Sequence, residues 1–185
     1  MRLAVNARVT AFSMGGQQRV TAEILKRLGP VEAVAPSRPL GGVKGHAWEQ
    51  FVLPARAMGK LLWSPSATGP IVKKRQVVTL HDVAFLDAPE FFSANFARAY
   101  RMLLPPLLKR AASIVTVSEF SRQRIAHWYE LEPHKIEIIG NGVSEQFHRY
   151  EPNAIAATRA APDLPRRYFL LQATSDRRKN LARAL

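Results

Sequence analysis

No cysteine occurs in the 185 residues, which excludes disulfides, thiolate zinc sites and a cysteine nucleophile. That composition fits a reducing compartment. Long apolar runs are missing too. The longest one near the middle, Met102 to Leu108 (MLLPPLL), is too short to span a bilayer and holds two prolines. The N-terminus, MRLAVNAR, brings in polar Asn6 where a signal peptide would continue its apolar core. A cytoplasmic chain is therefore expected. Acidic residues are scarce, 14 Asp and Glu against 27 Lys and Arg, for a net charge of +13. Such an excess admits three partners: nucleic acid, anionic lipid or a phosphorylated small molecule. The surplus is spread along the chain, with local runs only at Lys73-Lys74-Arg75 and Arg177-Arg178-Lys179. A single nucleic-acid stripe is disfavoured by that spread.

What is present reads as an ordinary globular protein, 47% hydrophobic and 22% charged. This length gives one full domain and the start of a second, and a domain near this size buries roughly 70% of its unfolded surface.

The chain is organised around Gln76 to Leu86, QVVTLHDVAFL. Val77 to Leu80 read as a short buried parallel strand that stops at His81-Asp82. In an open α/β sheet the ligand crevice lies beyond the carboxyl ends of the strands, so a polar pair at that place points at a site. Without a wider context the pair could equally cap a loop.

Other strands are expected at Arg2 to Asn6, Val31 to Ala35, Leu61 to Ser64, Ser113 to Val117 and Lys135 to Ile139. Between them fall helical patterns. From Gln17 the apolar positions Val20, Ile24, Leu25 and Leu28 recur at helical spacing up to the stop at Gly29-Pro30. Gly15-Gly16 ahead of this helix is either a tight turn or an anion cradle, because a helix N-terminus leaves N–H groups and a positive dipole end free. Pro39 to His46 reads as a mobile glycine-rich loop, and Trp48 to Met58 as a short helix kinked or delayed by Pro54. Phe92 to Ala112 is the longest helix candidate, started by Pro89, with Phe96, Tyr100, Leu103 and Leu107 on one face and Arg98, Arg101 and Lys109 opposite. Pro105-Pro106 is expected to bend or split it. The basic face is either simply solvated or a contact for a membrane surface. Ser118 is a good N-cap for a helix over Phe120 to Tyr129. Tyr150 to Arg167 reads as a linker, Tyr168 to Gln172 as a new strand, and Lys179 to Leu185 as the start of a helix.

Strands alternating with helices predict an α/β fold, a doubly wound, Rossmann-like parallel sheet over residues 1–150. A linker at 151–167 and the start of another domain at 168–185 follow. No two of the five histidines have metal-ligand spacing, so no structural metal is expected.

Taken together, Gly15-Gly16, Trp48-Glu49-Gln50 with Leu53-Pro54, VVTLHDVAFL, IVTVSEFSR, IIGNGV and SDRRKNL resemble, in order, the motifs of the group 1 retaining glycosyltransferases of GT-B fold. The resemblance runs over essentially the whole chain, which corresponds to the acceptor-side domain and the first strand and turn of the donor domain. It implies that Gly15 and Gly16 approach the donor diphosphate, that His81 lies beside the transferring sugar, and that Asp82 orients that histidine or the acceptor. It places Ser118 and Glu119 near the acceptor. It matches Arg178 and Lys179 to the basic pair that compensates the diphosphate leaving group. A nucleotide sugar is implied as substrate, with no metal or other cofactor required, and a glycan or lipid-linked glycan as acceptor, reached from the inner face of the cytoplasmic membrane. Mannose is the sugar the resemblance favours. Gly140 stands where the family often has proline, and Ala173 where it has glycine. A non-catalytic or split subunit that binds acceptor and membrane is the alternative, and a basic nucleic-acid binder a weaker third.

Overall fold

The computed structural model describes residues 2–13, 15–160, 165, 167–170 and 180–184. Short runs of β-branched and aliphatic residues, such as Val77-Val78-Thr79 and Ile114-Val115-Thr116, fit a pleated, buried surface. They supply strands β1 (Leu3–Asn6), β2 (Glu32–Val34), β3 (Leu61–Ser64), β4 (Gln76–Thr79), β5 (Ser113–Thr116) and β6 (Ile136–Ile138). All neighbours pair in parallel, in the order β2-β1-β3-β4-β5-β6. This is the expected Rossmann-like α/β sheet. The order reverses between β1 and β3, so the crevice at the strands' carboxyl ends opens there.

Helices α1 (Gly16–Arg27), α2 (Gly42–Phe51), α3 (Leu53–Arg56), α4 (Ala84–Asp87), α5 (Ala94–Arg110) and α6 (Glu119–Tyr129) connect the strands. Residues paired across the ladders share a face, and Ala4, Leu62, Val78, Ile114 and Ile136 lie on one and the same face. Val78, Ile114 and Ile136 pack with Leu104, Leu107 and Leu108 of α5 and Ile125 of α6. Ala4 and Leu62 pack with Trp48 of α2 and Leu53 of α3. Each fully buried aliphatic side chain contributes about 1.5–3 kcal/mol of transfer free energy.

Three local expectations change and one holds. The stretch expected as a glycine-rich loop is helical from Gly42; Gly45 is buried against the Leu40 carbonyl and the Arg8 guanidinium, so the glycine answers a packing need. The late start expected from Pro54 is seen: α2 ends at Phe51 and Pro54 sits in the first turn of a new helix, α3, where its missing N–H costs nothing. Helix α5 runs through Pro105 and Pro106 as one helix of 17 residues. Its buried face is Ala97, Leu104, Leu107 and Leu108, while Phe96 is exposed and stacks on Tyr100 with ring centroids 4.1 Å apart.

The chain divides into two compact units, Met1–Asn141 and Gly142–Leu185, and the sheet lies in the first. In the second, residues 152–159 of the expected linker form helix α7 (Pro152–Arg159). Residues 168–170 are not in a strand; the rest of that expected strand, to Gln172, lies outside the described residues. Helix α8 (Leu181–Ala184) falls in the segment expected to begin a helix. No helix among the described residues is long and apolar enough to cross a membrane.

Candidate functional site

β4 ends at Thr79, but Leu80 N–H still donates to Val115 O at 2.8 Å, so the strand-like path continues to His81. There Thr116 Oγ1 donates to His81 O at 3.3 Å, and the imidazole Nε2 lies 3.3 Å from Pro65 O. A carbonyl only accepts, so this bond requires the proton on Nε2 and leaves Nδ1 of the neutral ring as an acceptor. Asp82 is exposed, and its Oδ1 accepts from Ala84 N–H at 3.0 Å, a local turn that opens α4. The ring partner of His81 is thus Pro65, not Asp82.

The first half of the β3–β4 connection, which carries Pro65, is packed inside: Pro65, Ala67, Thr68, Gly69 and Pro70 are buried, whereas Val72, Lys74 and Arg75 further on are exposed. Ala67 adopts φ +63° and donates its N–H to Thr79 O at 2.9 Å, binding the loop to the end of β4. Gly69 has no room for a side chain, since a Cβ would lie 2.5 Å from Ser64 Oγ. Gln50 of α2 grips the same loop from outside, with Nε2 donating to Gly69 O at 2.8 Å and Oε1 accepting from Ile71 N–H at 2.9 Å.

Behind this loop, at the point where the strand order reverses, sits Glu49, 1% exposed. Its Oε1 accepts from Asn6 Nδ2 at 2.8 Å, Arg8 Nε at 3.0 Å and Thr68 Oγ1 at 3.1 Å, and its Oε2 meets His46 Nδ1 at 3.3 Å. Arg8 also donates from Nη1 to Leu40 O at 3.0 Å. Burial pushes the Glu49 carboxyl up, but the hydrogen bonds from His46, Asn6 and Arg8 and the Arg8 charge outweigh it and hold the group below the usual carboxylate range. Reading the sequence for site residues passes over Glu49, Asn6 and Arg8. The only signals were an asparagine closing a strand and a glutamate between Trp48 and Gln50.

The other expected residues are placed as follows. Gly15 is the N-cap of α1 in an extended conformation, with no side-chain cap and no acidic residue in the first turn. A side chain at Gly16 would enter open space, so nothing within the described structure demands glycine there. Ser118 caps α6, accepting from Ser121 N–H at 3.1 Å. Glu119 pairs with Arg122 at 2.6 Å and accepts from Gln123. His81 and Ser118 are brought to one end of the sheet by the β4–β5 pairing. Arg178 and Lys179 lie outside the described residues. Among those described, no group of three or more His, Asp or Glu side chains is arranged to hold a metal ion.

Residues 59–147 match the model of Glycosyltransferase Family 4. The Family 4 segment runs from the end of the α3 region through β6 and so includes His81, Asp82, Ser118 and Glu119, while Glu49 and Gly15 precede it. The match supports a glycosyltransferase-like function, on a fold of the Rossmann-like type found in GT-B enzymes. No curated protein matches the chain.

Proposed function

We propose that this chain is the acceptor-side portion of a retaining glycosyltransferase that moves a hexose, mannose being the favoured one, from a nucleotide-diphosphate sugar to a cell-surface polysaccharide or lipid-linked glycan. The observation that carries the reading is His81, held at the carboxyl end of β4 by Pro65 O inside a segment similar to Family 4. With Nε2–H committed to that carbonyl, Nδ1 is left to accept from a hydroxyl of the transferring sugar. Gly15 and Gly16 at the uncapped start of α1 would receive the diphosphate, whose charge the open N–H groups and helix dipole favour. Ser118 and Glu119 would flank the acceptor, Asp82 would orient it, and Arg178 with Lys179 would offset the charge that develops on the departing diphosphate. Retention requires the leaving group to depart on the face that the acceptor hydroxyl attacks, and no metal takes part in this scheme.

The test is His81→Ala in the full-length enzyme, with transfer from a guanosine-diphosphate hexose followed by product mass. Turnover should fall by at least about 10²-fold with the fold intact by circular dichroism. Unchanged turnover would remove His81 from the mechanism.

A further inference from the structure

His46 has served so far only as a partner of Glu49, yet one of its ring nitrogens is left without a task. Glu49 is buried at the carboxyl end of the sheet, where Asn6 closes β1 and Thr68 belongs to the loop after β3. Burial pushes its carboxyl up, but the hydrogen bonds on it hold it low enough to be ionised near neutrality, so its oxygens only accept. The contact of His46 Nδ1 with Oε2 at 3.3 Å therefore puts a proton on Nδ1. In the neutral ring Nε2 is then a lone pair, and no group among the described residues donates to it.

The ring is fixed and still reachable. Tyr100 of α5 stands across it, with ring centroids 6.1 Å apart and planes at 83°. Tyr100 is itself pinned by stacking on Phe96 at 4.1 Å and by Phe85 at 5.6 Å. Phe85 lies in α4, three residues after Asp82, so His46 touches both the group at the reversal of strand order and the aromatic set that follows β4. Its side chain is 27% exposed. A helical side chain leans over the turn before it, and one turn before His46 comes Gly42, where even a Cβ would meet nothing within 4 Å. The ring is open from that side.

We propose that His46 binds a sugar of the acceptor glycan, its Nε2 accepting from a sugar hydroxyl, with Glu49 as the positioning residue that fixes the tautomer. A buried carboxylate on one nitrogen sets the orientation of an imidazole and makes the other nitrogen a directional acceptor. Tyr100 and the exposed Phe96 supply apolar surface beside it, and sites for small molecules combine such surface with a few placed polar atoms. The two histidines are turned in opposite senses: His81 gives Nε2–H to Pro65 O and offers Nδ1, while His46 gives Nδ1–H to Glu49 and offers Nε2. The identity of the ligand rests on the sugar-transfer reading.

The test is a ring-nitrogen NMR spectrum of the full-length enzyme's histidines, with methyl mannoside added in steps as the sugar probe. His46 is expected to carry its proton on Nδ1, and its Nε2 resonance should move as the sugar saturates. His46→Asn keeps an N–H that can reach Glu49 and loses the Nε2 acceptor. Its urea midpoint should hold while its affinity for the probe, read from backbone amide shifts, falls roughly ten-fold. A proton on Nε2 alone, no shift at any sugar concentration, or an asparagine variant that binds the sugar like the parent overturns the proposal. Transfer from a guanosine-diphosphate hexose, run alongside, keeps the two readings apart. Shifts at His46 in an enzyme that transfers nothing leave this site standing and remove the transfer reading, whereas transfer without the shifts removes the site alone.

Discussion

Glu49 Oε1 lies 3.0 Å from Arg8 Nε, with 2% of the glutamate side chain and 14% of the arginine side chain exposed. The pair joins the end of β1 to α2, and through Thr68 it fixes the loop whose Pro65 carbonyl holds His81.

Removing one partner leaves the other charge buried and uncompensated. Glu49→Ala should destabilise the protein by about 3–5 kcal/mol, and Glu49→Gln, which keeps the shape and loses the charge, by less. Urea unfolding midpoints measure both. A loss below about 1 kcal/mol for the alanine variant would mean that water takes the carboxylate's place.

The same carboxyl sets a pH dependence. Its pKa is held below the ordinary 4.5, so the native state takes up this proton less readily than the unfolded chain. The stabilisation is complete above the unfolded-chain value and is lost as pH falls from there through the lower native value. Melting temperatures below about pH 5 should therefore fall more steeply for the parent than for Glu49→Gln. Parallel curves would assign the acid sensitivity to other carboxylates, such as Asp87 bound by Arg124.

Gly45→Ala places a Cβ 2.3 Å from Leu40 O and 2.4 Å from Arg8 Nη1. Alanine favours helix by up to about 1 kcal/mol, but the backbone carbonyl cannot yield cheaply, and Arg8 must release Leu40. A net loss of about 2 kcal/mol is expected in thermal or urea unfolding. A stabilised variant would show that the approach of α2 to Arg8 is slack.

Pro105→Ala is expected to act in the opposite direction. The position is exposed in the interior of α5, and alanine restores an N–H that can reach the Arg101 carbonyl. Proline inside a helix costs about 3 kcal/mol, part of which is offset by its stiffening of the unfolded chain. A gain of about 2 kcal/mol should appear as a raised urea midpoint. No gain would mean that the chain bends at Pro105 in a way that alanine also adopts.

The sheet was legible because each strand is a local pattern: Leu61 to Ser64 was placed residue for residue, and His81 fell at the strand end that the β-branched run before it marks. Helix α2 was not legible, because three glycines at 41, 42 and 45 suit a loop and only the contact of Gly45 with Leu40 and Arg8 explains them. The face of α5 was read in part: Leu107 is buried and Tyr100 packs against the core as expected, but Phe92, Phe96 and Tyr100 stack in a row and the sheet takes Ala97, Leu104 and Leu108. Glu49 is marked in the sequence only by its place between Trp48 and Gln50, because its partners Asn6 and Thr68 are far away along the chain.

The strand order also orders the assembly of the chain in time. From β3 onward each strand lies beside the next in sequence, and the longest reach is Val77 to Ser113, whereas β1 must find β3 through Leu3 and Leu61. Closing the longer loop carries the greater entropic cost and belongs late. The β4–β6 half, whose strands pack with Leu104, Leu107, Leu108 and Ile125, is therefore expected to form first. The Asn6–Glu49 lock is then expected to close late. Pulse-labelled hydrogen exchange during refolding should protect the amides of β4 and β5 before those of β1, and the His81 crevice then matures only when the first strand arrives.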